Sequence, residues 1–230
     1  MKLILFDVDG TLIDSQRMIC AAMHQAYQDH GLVSPPASEV RAIIGLSLDN
    51  AFQKLSGGTD HPLESLATRY KQAFFTLREA GHELPALYPG ASEVIAGLAA
   101  RPDVMLGLAT GKSRRGAAAM IEQHGFHGIF ATIQTADTAP SKPHPGMVLD
   151  AMRETGVGAE NTVVVGDTAF DMAMARAAGA AAIGVSWGYH PVADLHAAGA
   201  QVVVDTFDAL LPALDELWPL AAEREATADA

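Results

Sequence analysis

Six short runs along the chain, residues 2–6, 104–109, 130–133, 162–165, 181–185 and 202–204, are dominated by apolar residues without polar alternation. A strand with one wet face alternates; a strand buried on both faces does not. Helical spacing fills the gaps between most of these runs, at about 91–98, 114–124, 145–154, 170–178, 191–198 and 207–217. Strands of this kind, each followed by a helix, specify an α/β fold: a parallel sheet covered by helices on both faces. Such sheets bind ligands beyond the carboxyl ends of their strands, at the point where strand order reverses. Chemistry is therefore to be sought in the residues that follow each strand.

One block departs from the alternation. From about residue 15 to residue 82 the pattern is helical, with no convincing strand. Met18, Ile19, Ala22, Met23 and Ala26 recur at i, i+3, i+4 spacing, and Gly31 ends that helix. Pro35-Pro36 forces a break, Ser38 and Glu39 start a short helix through Ile44, and Ser47 is placed to cap a helix over 48–55. A long helix is expected over 63–80. The expected organisation is a catalytic core of residues 1–14 and 86–217, an inserted all-helical block of residues 15–85, and an Ala- and Glu-rich tail of residues 218–230.

The first strand runs into Asp7-Val8-Asp9-Gly10-Thr11. In extended chain, residues two apart point the same way, so Asp7 and Asp9 can face one small site. Two carboxylates that close repel unless a cation lies between them or one is protonated. Gly10 permits a turn, and Thr11 adds a hydroxyl and a backbone N–H. The second strand ends in Thr110-Gly111-Lys112, a hydroxyl beside exposed backbone, suited equally to holding a phosphate and to capping a helix. Lys112 is either an anion-steering charge or a solvated loop residue. Ser141-Lys142-Pro143-His144-Pro145 holds Lys142 in a stiff segment near a helix N-terminus, with His144 expected to be a spectator. After the strand at 162–165, Asp167 and Asp171 lie one helical turn apart and can converge on one point.

Magnesium takes oxygen ligands, commonly one or two carboxylates plus substrate phosphate. Asp7 and Asp167 would supply side-chain oxygens, Asp9 its carbonyl, and Asp171 a further acid. An aspartate can also attack phosphorus. Asp7 is then the nucleophile, Asp9 the general acid and base, and Thr110, Gly111 and Lys142 the phosphate-holding groups.

Composition narrows the partners. The 27 acidic residues against 15 basic give a net charge of −12, which argues against nucleic acid or an anionic membrane as partner. No apolar stretch approaches the roughly 20 residues of a membrane span. The single cysteine, Cys20, excludes an intrachain disulfide and reads as a buried filler. With no signal-like segment before the first strand, a cytoplasmic protein is expected, acting on a small phosphorylated metabolite. Oligomeric state stays open.

Asp7-Val-Asp9-Gly-Thr11, Thr110-Gly111, Lys142-Pro143 and Gly166-Asp167-x-x-x-Asp171 resemble, in order, the four motifs of the haloacid dehalogenase superfamily. The resemblance covers nearly the whole chain, since the helical block after the first motif looks like that superfamily's α-helical cap. It implies a Rossmann-like core, a mobile cap, and Mg-dependent phosphoryl transfer through an aspartyl phosphate. It gives Asp7, Asp9, Thr110 and Lys142 the roles read above, with Asp167 and Asp171 binding or orienting metal. An aspartate at Asp9 separates the chain from members that attack carbon. Val185-Ser-Trp187-Gly188-Tyr189 resembles a segment of the phosphoglycolate phosphatases, with Trp187 and Tyr189 expected to pack at the rim. Within the cap, Arg41 or Lys54 is the candidate for meeting an acidic substrate. The competing readings are a phosphosugar mutase using the same aspartates, and a phosphate-sensing or protein-binding module that has kept the fold.

Overall fold

The computed structural model describes residues 1–79 and 85–218. The chain opens on β1 (Lys2–Phe6), passes through the two-residue β2 (Ile13–Asp14) and enters four helices. These are α1 (Gln16–Asp29), α2 (Ala37–Arg41), α3 (Leu48–Ser56) and α4 (Leu63–Glu79). It returns through β3 (Ala86–Leu87), which pairs antiparallel with β2. There follow α5 (Ala91–Ala99), β4 (Val104–Thr110), α6 (Arg114–His124), β5 (Phe130–Thr135), α7 (Gly146–Thr155) and β6 (Thr162–Gly166). The last elements are α8 (Ala169–Ala177), β7 (Ala181–Val185), α9 (Val192–Ala197), β8 (Val202–Val204) and α10 (Leu210–Leu217).

Six strands form one parallel sheet in the order β5-β4-β1-β6-β7-β8. The absence of polar alternation has its cause in this arrangement. Ile4 and Phe6 point into a cluster with Val94, Ile95 and Leu98 of α5 and Leu210 and Leu214 of α10. Leu3 and Leu5, on the opposite face, join Met147 and Val148 of α7, Met172 and Ala175 of α8, and Leu195 of α9. Both faces are dry, so every position in β1 from Leu3 to Phe6 is buried.

The strand order explains the location of the site. From β1 the chain builds outward through β4 to β5, then returns to the other side of β1 for β6, β7 and β8. The reversal puts the ends of β4, β1 and β6 side by side, the place where ligands bind in sheets of this type.

Helices α1–α4 pack on one another through Ile19, Met23, Tyr27, Val40, Phe52 and Leu66. Ser47 caps α3, accepting from Asn50 N at 3.4 Å, and Gly57 closes it in the left-handed conformation. Among the described residues no helix is long and apolar enough to cross a membrane.

Three expectations need correction, and one strand pairing has no counterpart among them. The pairing of β2 with β3 was not foreseen, because two residues are too few to show a period. The short helix expected through Ile44 stops at Arg41, and residues 42–45 form turns that lead to Gly45, whose φ is +98°. The last helix starts at Leu210, three residues later than expected, since Phe207 packs into the core from a turn. Trp218, assigned to the tail, is buried in the core with the Lys2 ammonium 5.4 Å from its ring centroid. The rest of the expected tail, 219–230, lies outside the described residues, as does Ala80 at the end of the long helix.

Candidate active site

Asp7 directly follows β1, and its N–H donates to Val165 O at 2.9 Å, carrying the ladder with β6 one residue further. Its side chain is fully buried. Thr110 is the last residue of β4, Asp167 the first after β6, and Asp171 sits in the first turn of α8. Lys142 arrives from the segment between β5 and α7 and is also fully buried. A buried lysine requires anionic partners, and it has two: its Nζ lies 2.6 Å from Asp171 Oδ1 and 2.8 Å from Asp7 Oδ1.

The other carboxylate oxygens are held by their own neighbours. Asp167 Oδ1 accepts from Thr11 Oγ1 at 2.9 Å, and its Oδ2 accepts from Tyr189 N at 2.9 Å. Asp171 Oδ2 accepts from Thr168 N and Thr168 Oγ1, at 3.1 and 2.6 Å, in a capping box that starts α8. Asp7 differs from both. Lys142 pairs with Oδ1 as an ion pair outside hydrogen-bond geometry, and among the described residues neither Asp7 oxygen has a hydrogen-bond partner.

Electrostatics follow from burial. Desolvation pushes the Asp7 carboxyl up to about 7, with Lys142 opposing and the charges of Asp171 and Asp9 adding. Asp167 is raised well above the carboxylate range by burial and then by Asp7 and Asp171. Burial alone would lower the Lys142 ammonium, but Asp171 and Asp7 outweigh it and hold the proton above the ordinary lysine range. Asp7 and Asp171 thus share one lysine, while Asp167 is held by hydrogen bonds from Thr11 and Tyr189 N. Asp7, Asp167 and Asp171 each present an oxygen within 4.8 Å of the others. Uncompensated negative charge, hard oxygen donors and the unbonded Asp7 oxygens fit a divalent cation such as magnesium.

Asp9 lies beside this cluster, and its side chain is outside the acidic trio. Its Oδ1 accepts from Ser15 Oγ at 2.5 Å and from Lys112 Nζ at 2.8 Å. Ser15 occupies the N-cap position of α1 but makes no side-chain cap: its backbone, at φ −106° and ψ 2°, is not extended, and its hydroxyl is directed at Asp9. The Ser15 N–H donates instead to Tyr189 Oη at 3.0 Å. Gly10, between Asp9 and Thr11, has φ +91°, and a Cβ there would meet Asp167 Oδ2 at 2.3 Å.

A cavity of about 380 Å³ opens above Asp7, Asp9 and Thr110 and reaches between the helical block and the loop after β4. The block touches the core at its mouth. Ser47 N donates to Ser141 Oγ at 2.8 Å, and a Cβ on Gly111 would stand 2.5 Å from the carbonyl oxygens of Gly45 and Leu46.

Arg41 and Lys54, the expected substrate cations, do not line this cavity. Arg41 borders a separate cleft with Tyr189 and His190, and Lys54 Nζ lies 4.9 Å above the Phe170 ring. The rotation of their helices turns both away. His144, the expected spectator, is exposed and accepts from Gly146 N at 3.1 Å. Trp187 packs against Tyr88 and Phe207 and donates to Thr11 O at 3.1 Å. Cys20 is half-buried against the helical core. Ser15, Thr168 and the Lys112–Asp9 pair were missed. Thr168 was legible in principle, since Thr168 with Asp171 at N3 follows capping-box spacing. The other contacts span sequence gaps with no local signal.

The family of haloacid dehalogenase-like hydrolases matches residues 4–185, a span that contains all four motifs from Asp7 to Asp171. The chain belongs to this family. It is an enzyme, a hydrolase with a Rossmann-like α/β core. It is similar to a protein named probable phosphatase IndB from Dickeya dadantii (strain 3937), 38% identical over 221 residues, covering 95% of this chain and 96% of that one. The phosphoglycolate phosphatase of Pseudomonas putida (strain KT2440) is 32% identical over 217 residues, 92% of this chain and 79% of the relative. Among solved structures, a hydrolase from Pseudomonas syringae superposes with a TM-score of 0.82 at 27% identity, covering 94% of this chain and 99% of that one.

Proposed function

We propose that the chain is a magnesium-dependent phosphatase that hydrolyses phosphate monoesters of small metabolites through an aspartyl phosphate on Asp7. One observation carries the reading: a fully buried carboxylate at the tip of the central strand whose two oxygens have no hydrogen bond. Its ion-pair partner Lys142 is shared with Asp171, and burying a carboxylate so sparsely paired costs several kcal/mol.

Asp7 attacks phosphorus, and the ester oxygen departs with the electron pair of the P–O bond. Asp9 gives that oxygen a proton, then takes one from the water that attacks the phosphoryl group, freeing Asp7 and inorganic phosphate. Ser15 and Lys112 fix the Asp9 carboxyl through a single oxygen. Lys142 and the Thr110 hydroxyl hold the phosphoryl oxygens, with Gly111 offering backbone N–H. Asp171 positions Lys142, while Thr11 and Tyr189 N orient Asp167. Asp7, Asp167, Asp171 and the Asp9 carbonyl would hold the magnesium ion, whose charge would keep Asp7 ionised and offset the phosphate dianion. Residues 1–14 and 86–217 act as the catalytic core and residues 15–85 as a cap that closes the site. A cytoplasmic setting fits a chain whose single cysteine can form no intrachain disulfide.

The relatives named phosphatase support this reading. The test is phosphate release by the purified chain from a panel of phosphorylated metabolites, phosphoglycolate included, with magnesium and then with excess chelator. Release in magnesium alone, without a bisphosphate activator, is expected; undiminished release in chelator, or none without the activator, overturns the reading.

A further inference from the structure

The wall that faces the phosphoryl site across the cavity is apolar and aromatic. Ile19, Met23, Ile43, Leu46, Tyr70 and Phe74 supply it. Tyr70 and Phe74 pack ring on ring with centroids 6.0 Å apart, and burial together with the Asp9 charge holds the Tyr70 phenol protonated. Lys71, Arg78, Lys112 and Arg115 are the cations that line the cavity. Lys112 Nζ is 2.8 Å from Asp9 and 5.6 Å above the Phe74 ring. Arg115 is exposed and stacks at 4.6 Å on Phe75, itself 41% exposed, and Lys71 is exposed too. These outer charges can draw in a dianion. Arg78, half-buried, lines the cavity one helical turn beyond Phe74; a carboxylate of the departing group set against the Tyr70 and Phe74 rings themselves would be desolvated there at a cost.

Volume points the same way. An apolar cavity of about 150 Å³ accommodates a benzene ring, so a space of about 380 Å³ holds a phosphoryl group and a ring together. Resting on the phosphatase reading above, we propose that the substrate is a phosphate monoester whose alcohol carries an aromatic ring. The ring lies against Tyr70 and Phe74 while the phosphate reaches Asp7.

The test compares benzyl phosphate, propyl phosphate and 2-phosphoglycolate with the full chain in magnesium. Benzyl and propyl alcohols are similar leaving groups, so their ratio reports the ring. The expected kcat/KM for benzyl phosphate exceeds both others by roughly tenfold or more, the scale set by burying a ring in a fitted apolar pocket. Phe74→Ala is expected to bring the benzyl-to-propyl ratio towards one, chiefly through KM. Hydrolysis of all three with a wild-type ratio near one, or a preference for 2-phosphoglycolate, overturns this inference and leaves the phosphatase reading standing. An unchanged ratio in Phe74→Ala removes Phe74 from the ring site and contradicts the placement proposed. Hydrolysis of none overturns both.

Discussion

Ser15 shows how a single hydroxyl is diverted from structure to chemistry. At the start of α1 it would ordinarily accept from a backbone N–H and contribute about 1 kcal/mol to the helix. Here no cap bond forms, and the hydroxyl donates to Asp9 beside Lys112. Hydrogen bonds to charged groups contribute roughly 1.5–3 kcal/mol, so loosening the acid/base should be visible in rate. Ser15→Ala is expected to lower kcat about tenfold with little change in KM, measured by steady-state phosphate release; equal losses in substrate affinity would contradict a positioning role. Asp9→Asn removes the proton carrier itself and is expected to cost roughly 10²–10⁴-fold in kcat. That loss should shrink for esters with acidic leaving groups, which need no proton. A uniform loss across leaving groups would count against Asp9 as the acid.

At the scale of elements, the site depends on β1, β4 and β6 being neighbours and on the segment before α7 delivering Lys142. Lys142 is ion-paired with Asp7 and Asp171, two of the three clustered buried acids. Lys142→Met leaves them uncompensated, and breaking such a pair costs roughly 3–5 kcal/mol. Denaturant unfolding in chelator should show a loss of that size, partly recovered in magnesium; a loss unaffected by magnesium would argue against a shared cation. Much of this geometry was readable in the chain. Unalternating strands such as Leu3 to Phe6 declared a sheet buried on both faces, and the polar residues after 6, 109 and 165 marked its ligand edge. The pairing of Ile13–Asp14 with Ala86–Leu87 was not readable, because two residues carry no period. Nor were Lys112 on Asp9 or Tyr189 on Asp167, contacts set by how distant segments pack. Arg41 and Lys54 misled for a related reason: a charge near a helix end says nothing of which way that end faces in the assembled protein.

The whole molecule carries a stability cost that should depend on pH. Asp7 is raised from 3.8 to about 7, so the fold prefers it neutral and binds more protons than the unfolded chain between those values. The contribution is therefore full below about 4 and lost as pH rises through about 7. Asn at this position does not titrate. In chelator, Asp7→Asn should be more stable than wild type at pH 8, and the gap should close towards pH 5, as read by thermal melting. A gap that widens on acidification would reverse the sign of the argument. Magnesium should raise the wild-type midpoint most at the alkaline end, where the carboxylates are charged.

The covalent role of Asp7 can be read directly. The purified chain is quenched in acid while turning over, in magnesium, whichever ester of the panel it hydrolyses fastest. Borohydride then reduces any acyl phosphate to the alcohol, and peptide mass spectrometry locates the change. Conversion of Asp7 to homoserine, absent without substrate and absent in Asp7→Asn, is the predicted result. An unmodified Asp7 during turnover, with Asp7→Asn still releasing phosphate at a near-normal rate, would contradict it.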